Sequence, residues 1–329
     1  MVLLLLALAA VAPALTPYID AHTHFDELDL AASIDSALAA LGRQNAAALF
    51  LLTPPDTFDH PGHSDADGIL PLARAHRGKL VVLGGGGTLN AMVQQVPAGE
   101  VGPQIRKQFQ DRAEELLREG VGGFGEVTAE HFAGVTPWQS APADHPLFLL
   151  LAEISARSGA PIDLHMEAVP KAMPLPPGLK SPPNAPRLRE NIAGFERLLA
   201  HDPRARVIWA HAGADGTGFR TPALCRRLLK SHANLFMELK VDPRNPGLNP
   251  LLEGGRIQGD WLQLFQDFPD RFIIGSDQHY PEPAGGEQRW QAAVQLLNQL
   301  PAALQRSIGR ENVLHIYSRR LDAAGEESK

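Results

Sequence analysis

Cysteine is almost missing: Cys225 is the one example in 329 residues. That excludes an intrachain disulfide and any multi-cysteine zinc site, so a metal bound here must be held by histidine and carboxylate. Basic runs are also missing, and the formal net charge is −7. Such a chain carries no electrostatic footprint for a phosphate backbone, and nucleic acid is not an expected partner. Long apolar runs are confined to the first residues, where Met1 to Leu15 carry no charge. The run is too short for a comfortable membrane span, so no stable span is expected. It matches the apolar core of a secretory signal, with Ala12-Pro13-Ala14 as a small-x-small cleavage site, although no Lys or Arg precedes it. A misplaced start or an apolar cap on the N-terminus would read the same way. The expectation is a leader over 1–15 and a barrel over 16–329, periplasmic or secreted if the leader is a signal and cytoplasmic otherwise.

What is present supports a folded core: hydrophobic residues make up 44% and charged residues 20%. Apolar strand-like runs occur at Tyr18–Phe25, Asn45–Leu52, Lys79–Leu83, Val121–Val127, Pro161–His165, Val207–His211, Asn234–Val241 and Arg271–Asp277. Helical spacing falls between them, at Leu28–Leu41 (with Gly42 as its stop), Ile69–His76, Pro103–Arg118, Pro146–Arg157, Arg189–Ala200, Pro222–Lys230, Trp261–Phe268 and Gln288–Gln299. Eight strands alternating with helices predict a parallel sheet, and at this length a single (β/α)8 TIM barrel is the economical closure. A doubly wound sheet is the alternative. It would splay apart the residues described next, whereas a barrel gathers them at one mouth.

The strands end in metal-ligand types. Asp20, His22 and His24 alternate along the first strand and are expected on one face. Glu126 ends the fourth strand, on the face of Phe124; His165, His211 and Asp277 end the fifth, sixth and eighth. Imidazole and carboxylate suit a divalent metal, zinc above all, with manganese or iron tolerated. Asp277 would take the proton of a metal-activated water, whose pKa falls to about 7. The bland alternatives are a hydrogen-bonded core histidine at each strand end, a capping aspartate, and a glutamate paired with arginine. They weaken together, because six residues on five strands would each need its own excuse.

These residues, in this order, resemble the amidohydrolase superfamily and its amidohydrolase-related branch. The resemblance rests on Asp20-Ala21-His22-Thr23-His24, His165, His211 and Gly275-Ser276-Asp277, and it extends to Glu311-Asn312-Val313-Leu314. It implies metal-dependent hydrolysis of C–N, C–O or sometimes P–O bonds, with His22, His24 and Asp277 as ligands. It implies His165 as a ligand of a first or second metal, and His211 on a second metal or on the substrate's polarised oxygen. Members with two metals bridged by a carbamylated lysine need Lys on strand 4, which is absent here. Glu126 either bridges two ions directly or stands behind a single one.

Substrate groups are harder to read. Glu238 and Lys240 share a face at the end of strand 7, where Lys240 could hold a substrate carboxylate or phosphate. His279 is a second substrate-side candidate, His131 a further residue behind the ligands, and His60 and His63 could reach from their loop. The glycine run Gly84–Gly87 reads as a tight bend with room for a ligand. The partner expected is a small molecule, and self-association stays open. A hydrolase of amides, esters or lactones is the first reading. A decarboxylase using Lys240 or Arg220 for the departing carboxylate is the second, and a barrel that binds without chemistry is the third.

Overall fold

A computed structural model describes residues 16–56, 65–132, 138–179, 184–284, 286 and 288–326. The leader over 1–15, His60 and His63 lie outside the described residues. Among the described residues eight parallel strands form the ring of the sheet, to which the short antiparallel piece Gln139–Ser140 adds beside the fourth: β1 (Tyr18–Phe25), β2 (Ala46–Leu52), β3 (Leu80–Gly85), β4 (Gly123–His131), β5 (Ile162–Met166), β6 (Val207–Trp209), β7 (Leu235–Leu239) and β8, in two pieces, Phe272–Ile274 and Gln278–Tyr280. Each pairs with its neighbour in sequence. The first piece of β8 pairs with β7 and the second with β1, so the ring closes through β8. Between the pieces the seam is held by the Asp277 N–H donating to the His22 carbonyl (2.8 Å). The Asp20 carboxylate accepts from the Ser276 N–H and hydroxyl at 2.8 and 2.6 Å.

Among the described residues eleven helices flank the ring: α1 (Leu30–Gln44), α2 (Ala66–Ala73), α3 (Leu89–Gln95), α4 (Pro103–Glu119), α5 (Pro146–Ser158), α6 (Ile192–His201), α7 (Pro222–Ser231), α8 (Gly259–Asp267), α9 (Gln288–Asn298), α10 (Ala302–Arg306) and α11 (Asn312–Glu326). Proline opens α4, α5 and α7, where its missing N–H costs nothing. The expected stop of α1 at Gly42 is overrun: the helix continues to Gln44 and Asn45 takes the left-handed cap (φ 54°), a conformation asparagine tolerates. Helix α3 follows the glycine run directly and was not expected. Among the described residues no helix is long and apolar enough to cross a membrane.

The glycine run also differs from expectation. A Cβ on Gly86 would stand 2.2 Å from the Thr53 carbonyl, and one on Gly84 3.0 Å from Ala66 Cβ. The run is therefore packed against β2 and α2, and leaves no room for a ligand there. Asp65 fixes it, accepting from the N–H groups of Gly85 and Thr88.

Inside the ring the side chains are layered. Val313, Ile316 and Tyr317 of α11 enter the interior beside Ile19, Phe50, Ile208, Phe236 and Ile273. The buried carboxylates Asp163 and Glu238 come next along their strands, each two residues before His165 and Lys240 respectively. Two breaks in strand regularity set which residues face inward. On β4, Phe124 and Val127 both pack outside the ring although three residues apart, and the register shifts between them. That shift turns Glu126 inward, on the face opposite Phe124 rather than beside it. On β1 the register shifts between Asp20 and Thr23. Ile19 and Ala21 face the interior, as do His22 and His24, so Asp20 faces away from the histidines and serves the β8 seam instead.

Candidate metal centre

Six donors expected at the mouth converge there, and Glu126 stands at the middle. Its Oε2 lies 3.3 Å from His24 Nε2 and 3.8 Å from His22 Nε2. Its Oε1 lies 2.6 Å from His165 Nδ1 and 3.4 Å from His211 Nε2. His22 Nε2 and His24 Nε2 are 3.2 Å apart, and Asp277 Oδ1 is 3.3 Å from His24 Nε2. Two ligand atoms about 2.1 Å from a tetrahedral zinc stand about 3.4 Å apart. Most of these separations fit donors that share an ion; the His165 contact is that of a hydrogen bond. Four groups keep their donor atoms within 4.8 Å of one another: His22–His24–Glu126 and Glu126–His165–His211, which share Glu126, and His22–His211–Asp277 and His24–Asp277–His279, which share Asp277.

Each imidazole is held from behind. His22 Nδ1 meets Asp163 Oδ2 at 3.4 Å, His24 Nδ1 meets the Leu52 carbonyl at 3.2 Å, and His211 Nδ1 meets Glu238 Oε2 at 3.0 Å. With these Nδ1 atoms donating, the Nε2 lone pairs point at the centre. His165 is reversed, with Nδ1 toward Glu126 and Nε2 3.7 Å from Glu167 Oε1. Metal-binding histidines use such outer acceptors to fix tautomer and ring orientation.

The carboxyls of Glu126, Glu167 and Asp277 are held ionised at the site by Lys240, Arg289 and the surrounding imidazoles. Burial works against an ionised Glu126, but His165 and His211 hold its carboxyl well below the usual range. Burial also pulls His165 down, yet the Glu126 carboxylate prevails and raises it to about 9. His22 is raised against burial by Asp163, and burial raises Asp163 itself, so that pair holds its proton tightly. Burial pushes Glu238 up to about 8, while burial and Lys240 hold His211 well below the imidazole value.

Two ligand candidates have strained backbones. His211 (φ 63°) and Asp277 (φ 54°) are left-handed, a conformation uncommon outside glycine, and both lie where their strands break off. The His211 N–H donates to Glu238 Oε2 at 2.6 Å, and the buried Arg220 guanidinium donates to the carbonyls of Ala210, His211, Ala214 and Met166. Arg220 is therefore spent under the strand ends, which corrects its expected role toward a substrate carboxylate. Arg289 grips Asp277 at its carbonyl and at Oδ2. Gly275 lets β8 pass close to β1, since a Cβ there would stand 2.5 Å from both His22 Cβ and Glu238 Oε1.

Lys240 places Nζ 2.5 Å from Asp277 Oδ2. His279 stacks near His24, with ring centroids 4.9 Å apart, and its Nε2 is 4.0 Å from Asp277 Oδ1. The His131 ring packs 4.6 Å from that of His165. Asp163, Glu167, Arg289 and the outer role of Glu238 were missed. Asp163 and Glu238 did leave a signal: each is a lone acid inside an apolar strand.

No family model and no curated protein matches the chain. Solved structures similar to it include Amidohydrolase 2 from Bifidobacterium longum subsp. infantis, 13% identical over 92% of this chain and 98% of that one (TM-score 0.48). An amidohydrolase from Mycobacterium avium subsp. paratuberculosis is 12% identical over 88% and 75% of the two chains (TM-score 0.45). A mutant of organophosphorus hydrolase is 16% identical over 95% and 94% (TM-score 0.44).

Proposed function

We propose that the chain is a metal-dependent hydrolase of amidohydrolase type, attacking the carbon of an amide, ester or lactone. The split of Glu126, one oxygen to His22 and His24 and the other to His165 and His211, carries this reading. His22, His24, Asp277 and Glu126 would hold one divalent ion, and Glu126, His165 and His211 a second. Zinc suits the donor set. When bound, the metal supplies water activated near neutral pH and polarises the scissile oxygen. Asp277 serves as the proton acceptor: against its burial, Lys240 and then His24 keep it ionised. His279, whose side chain is half exposed, lies beside Asp277 Oδ1 at 4.0 Å, beyond hydrogen-bond reach. Asp163, Glu167 and Glu238 keep the imidazoles aimed, and neutral His211 either ligates or steadies the substrate oxygen through Nε2.

Metal analysis of gently purified protein tests the centre. One or two equivalents of transition metal are expected, with His22→Ala and Asp277→Ala abolishing turnover of an amide, ester and lactone panel while leaving the fold intact. Metal-free protein that gains nothing from added zinc or manganese would remove the proposal. A decarboxylase remains the second reading, because the Lys240–Arg289 pair beside Asp277 could hold a departing carboxylate; released CO2 would decide for it.

A further inference from the structure

Lys240 and Arg289 carry more donors than the protein uses. Lys240, just past the end of β7, has Nζ 2.5 Å from Asp277 Oδ2. Arg289, in the first turn of α9, has Nη1 2.9 Å from the same oxygen and also donates to the Asp277 carbonyl. An ammonium offers three N–H groups and a guanidinium five. Among the described residues, Asp277 is the acceptor for both side chains, and Arg289 Nη2 and Nε meet no protein acceptor. Asp242, the next acid along the chain, is already engaged by the Arg244 N–H and by Asn245. Both side chains are 17% exposed, so neither is sealed in the interior. Two full positive charges thus converge on one oxygen of a carboxylate whose other oxygen is turned toward His24.

We propose that Lys240 and Arg289 form an anion subsite on the rim of the centre, which takes a carboxylate or phosphoryl group of the substrate. The guanidinium fork suits two oxygens of such a group, and the ammonium adds a point charge with free donors. Because the cations lie one carboxylate's width from the proposed metal ligands, the anionic group sits only a few bonds from the carbon attacked. The substrate class is therefore a short anion, such as a carboxylated amide, ester or lactone. This rests on the hydrolase reading for the chemistry, while the subsite itself is tested by binding.

Zinc-loaded wild type, Lys240→Gln, Arg289→Gln and Lys240→Arg are titrated calorimetrically with succinate and with inorganic phosphate, and zinc content and thermal melting are measured for each. At least one anion is expected to bind the wild type and to weaken by about tenfold or more in both glutamine variants, with Lys240→Arg retaining most of the affinity. The anion that responds identifies the oxygen group. No binding of either anion to zinc-loaded wild type, or equal affinity in folded, zinc-loaded glutamine variants, overturns the subsite while leaving the hydrolase reading standing. Failure of the hydrolase reading looks different, because the wild type then holds no zinc. A purely structural role for the two cations would lower thermal stability and leave anion affinity unchanged, which also counts against the subsite.

Discussion

Gly275→Ala adds one methyl group where β8 passes closest to β1. The new Cβ would stand 2.5 Å from His22 Cβ and 2.5 Å from Glu238 Oε1. Carbon atoms in good contact lie about 3.5–4.0 Å apart, so the overlap is about 1 Å or more. Neither neighbour can swing aside. The atom met on His22 is the first of its side chain, and its ring is held by Asp163 and faces Glu126. Glu238 is held by the His211 backbone and ring. The strand itself must yield, carrying Asp277, two residues on, away from His24. Overpacking of this kind costs about 1–3 kcal/mol. A misplacement of about 1 Å at a reacting centre can cost about 100-fold in rate. The expected result is a melting point lowered by several degrees, at about 2–4 °C per kcal/mol. Metal retention after dialysis and kcat/KM should fall far more steeply than stability does. Gly99→Ala is the control, since nothing lies within 4 Å of a Cβ there. It should change stability by less than about 0.5 kcal/mol. A Gly275→Ala protein with wild-type melting, metal content and activity would refute the idea that this close approach positions His22.

Two further predictions concern buried groups away from the ligands. Burial pushes Glu130 up to about 7, against hydrogen bonds from Trp138 and Ser140. An unfolded glutamate titrates near 4.3, so the native state binds this proton more tightly, and the stability it contributes below pH 4.3 is lost as pH rises through about 7. Urea denaturation should show Glu130→Gln ahead of wild type at pH 8, by on the order of 3 kcal/mol, with the gap shrinking toward pH 5; an equal gap at both values would contradict this. The Tyr317 hydroxyl, Asp163 Oδ1 and Glu238 Oε1 are buried with no protein partner. If ordered water joins them, Tyr317→Phe should lose about 1–3 kcal/mol, whereas a variant as stable as wild type would mean that the hydroxyl is unpaired.

The strands and their terminal donors were legible because both are short-range signals. An apolar run ending in His or Asp can be read residue by residue, and eight such runs alternating with helices leave few ways to close. Facing was less legible. Asp20 was assigned to the face of the histidines and Glu126 to that of Phe124, and both pairings fail because a single register shift inverts every side chain beyond it. Such shifts between Phe124 and Val127 and between Asp20 and Thr23 depend on how neighbouring strands are staggered, which strict alternation cannot anticipate. Arg289 had no signal at all: it sits in a helix, and only the closure of β8 against β1 brings it to Asp277. Gly84–Gly87 misled in the opposite direction, since a glycine run marks close approach without saying whether a ligand or the protein's own backbone does the approaching.

The order of layers inside the ring explains how so many charges can be buried together. A carboxylate taken from water without a partner costs several kcal/mol, and an imidazole N–H left unpaired costs about 1–3 kcal/mol. Asp163 with His22, and Glu238 with His211, offset part of both costs at once, although burial still raises both carboxyls. Each pairing also commits Nδ1, so it leaves Nε2 facing the centre. The same contacts that make the carboxylates tolerable therefore aim the ligands. That reciprocity requires Asp163 and Glu238 to lie below the histidines, between them and the apolar residues of α11. It also requires β8 to approach β1 closely enough that only glycine fits at 275. Stability and the proposed metal binding are for that reason coupled along one line of residues, from Tyr317 through Asp163 and Glu238 to the histidines, and the cations Lys240 and Arg289 stand outside it. Substitutions along that line should disturb both properties, whereas substitutions at the two cations, which hold Asp277, should leave the apolar layers in place and alter both the behaviour of Asp277 and which molecules are accepted.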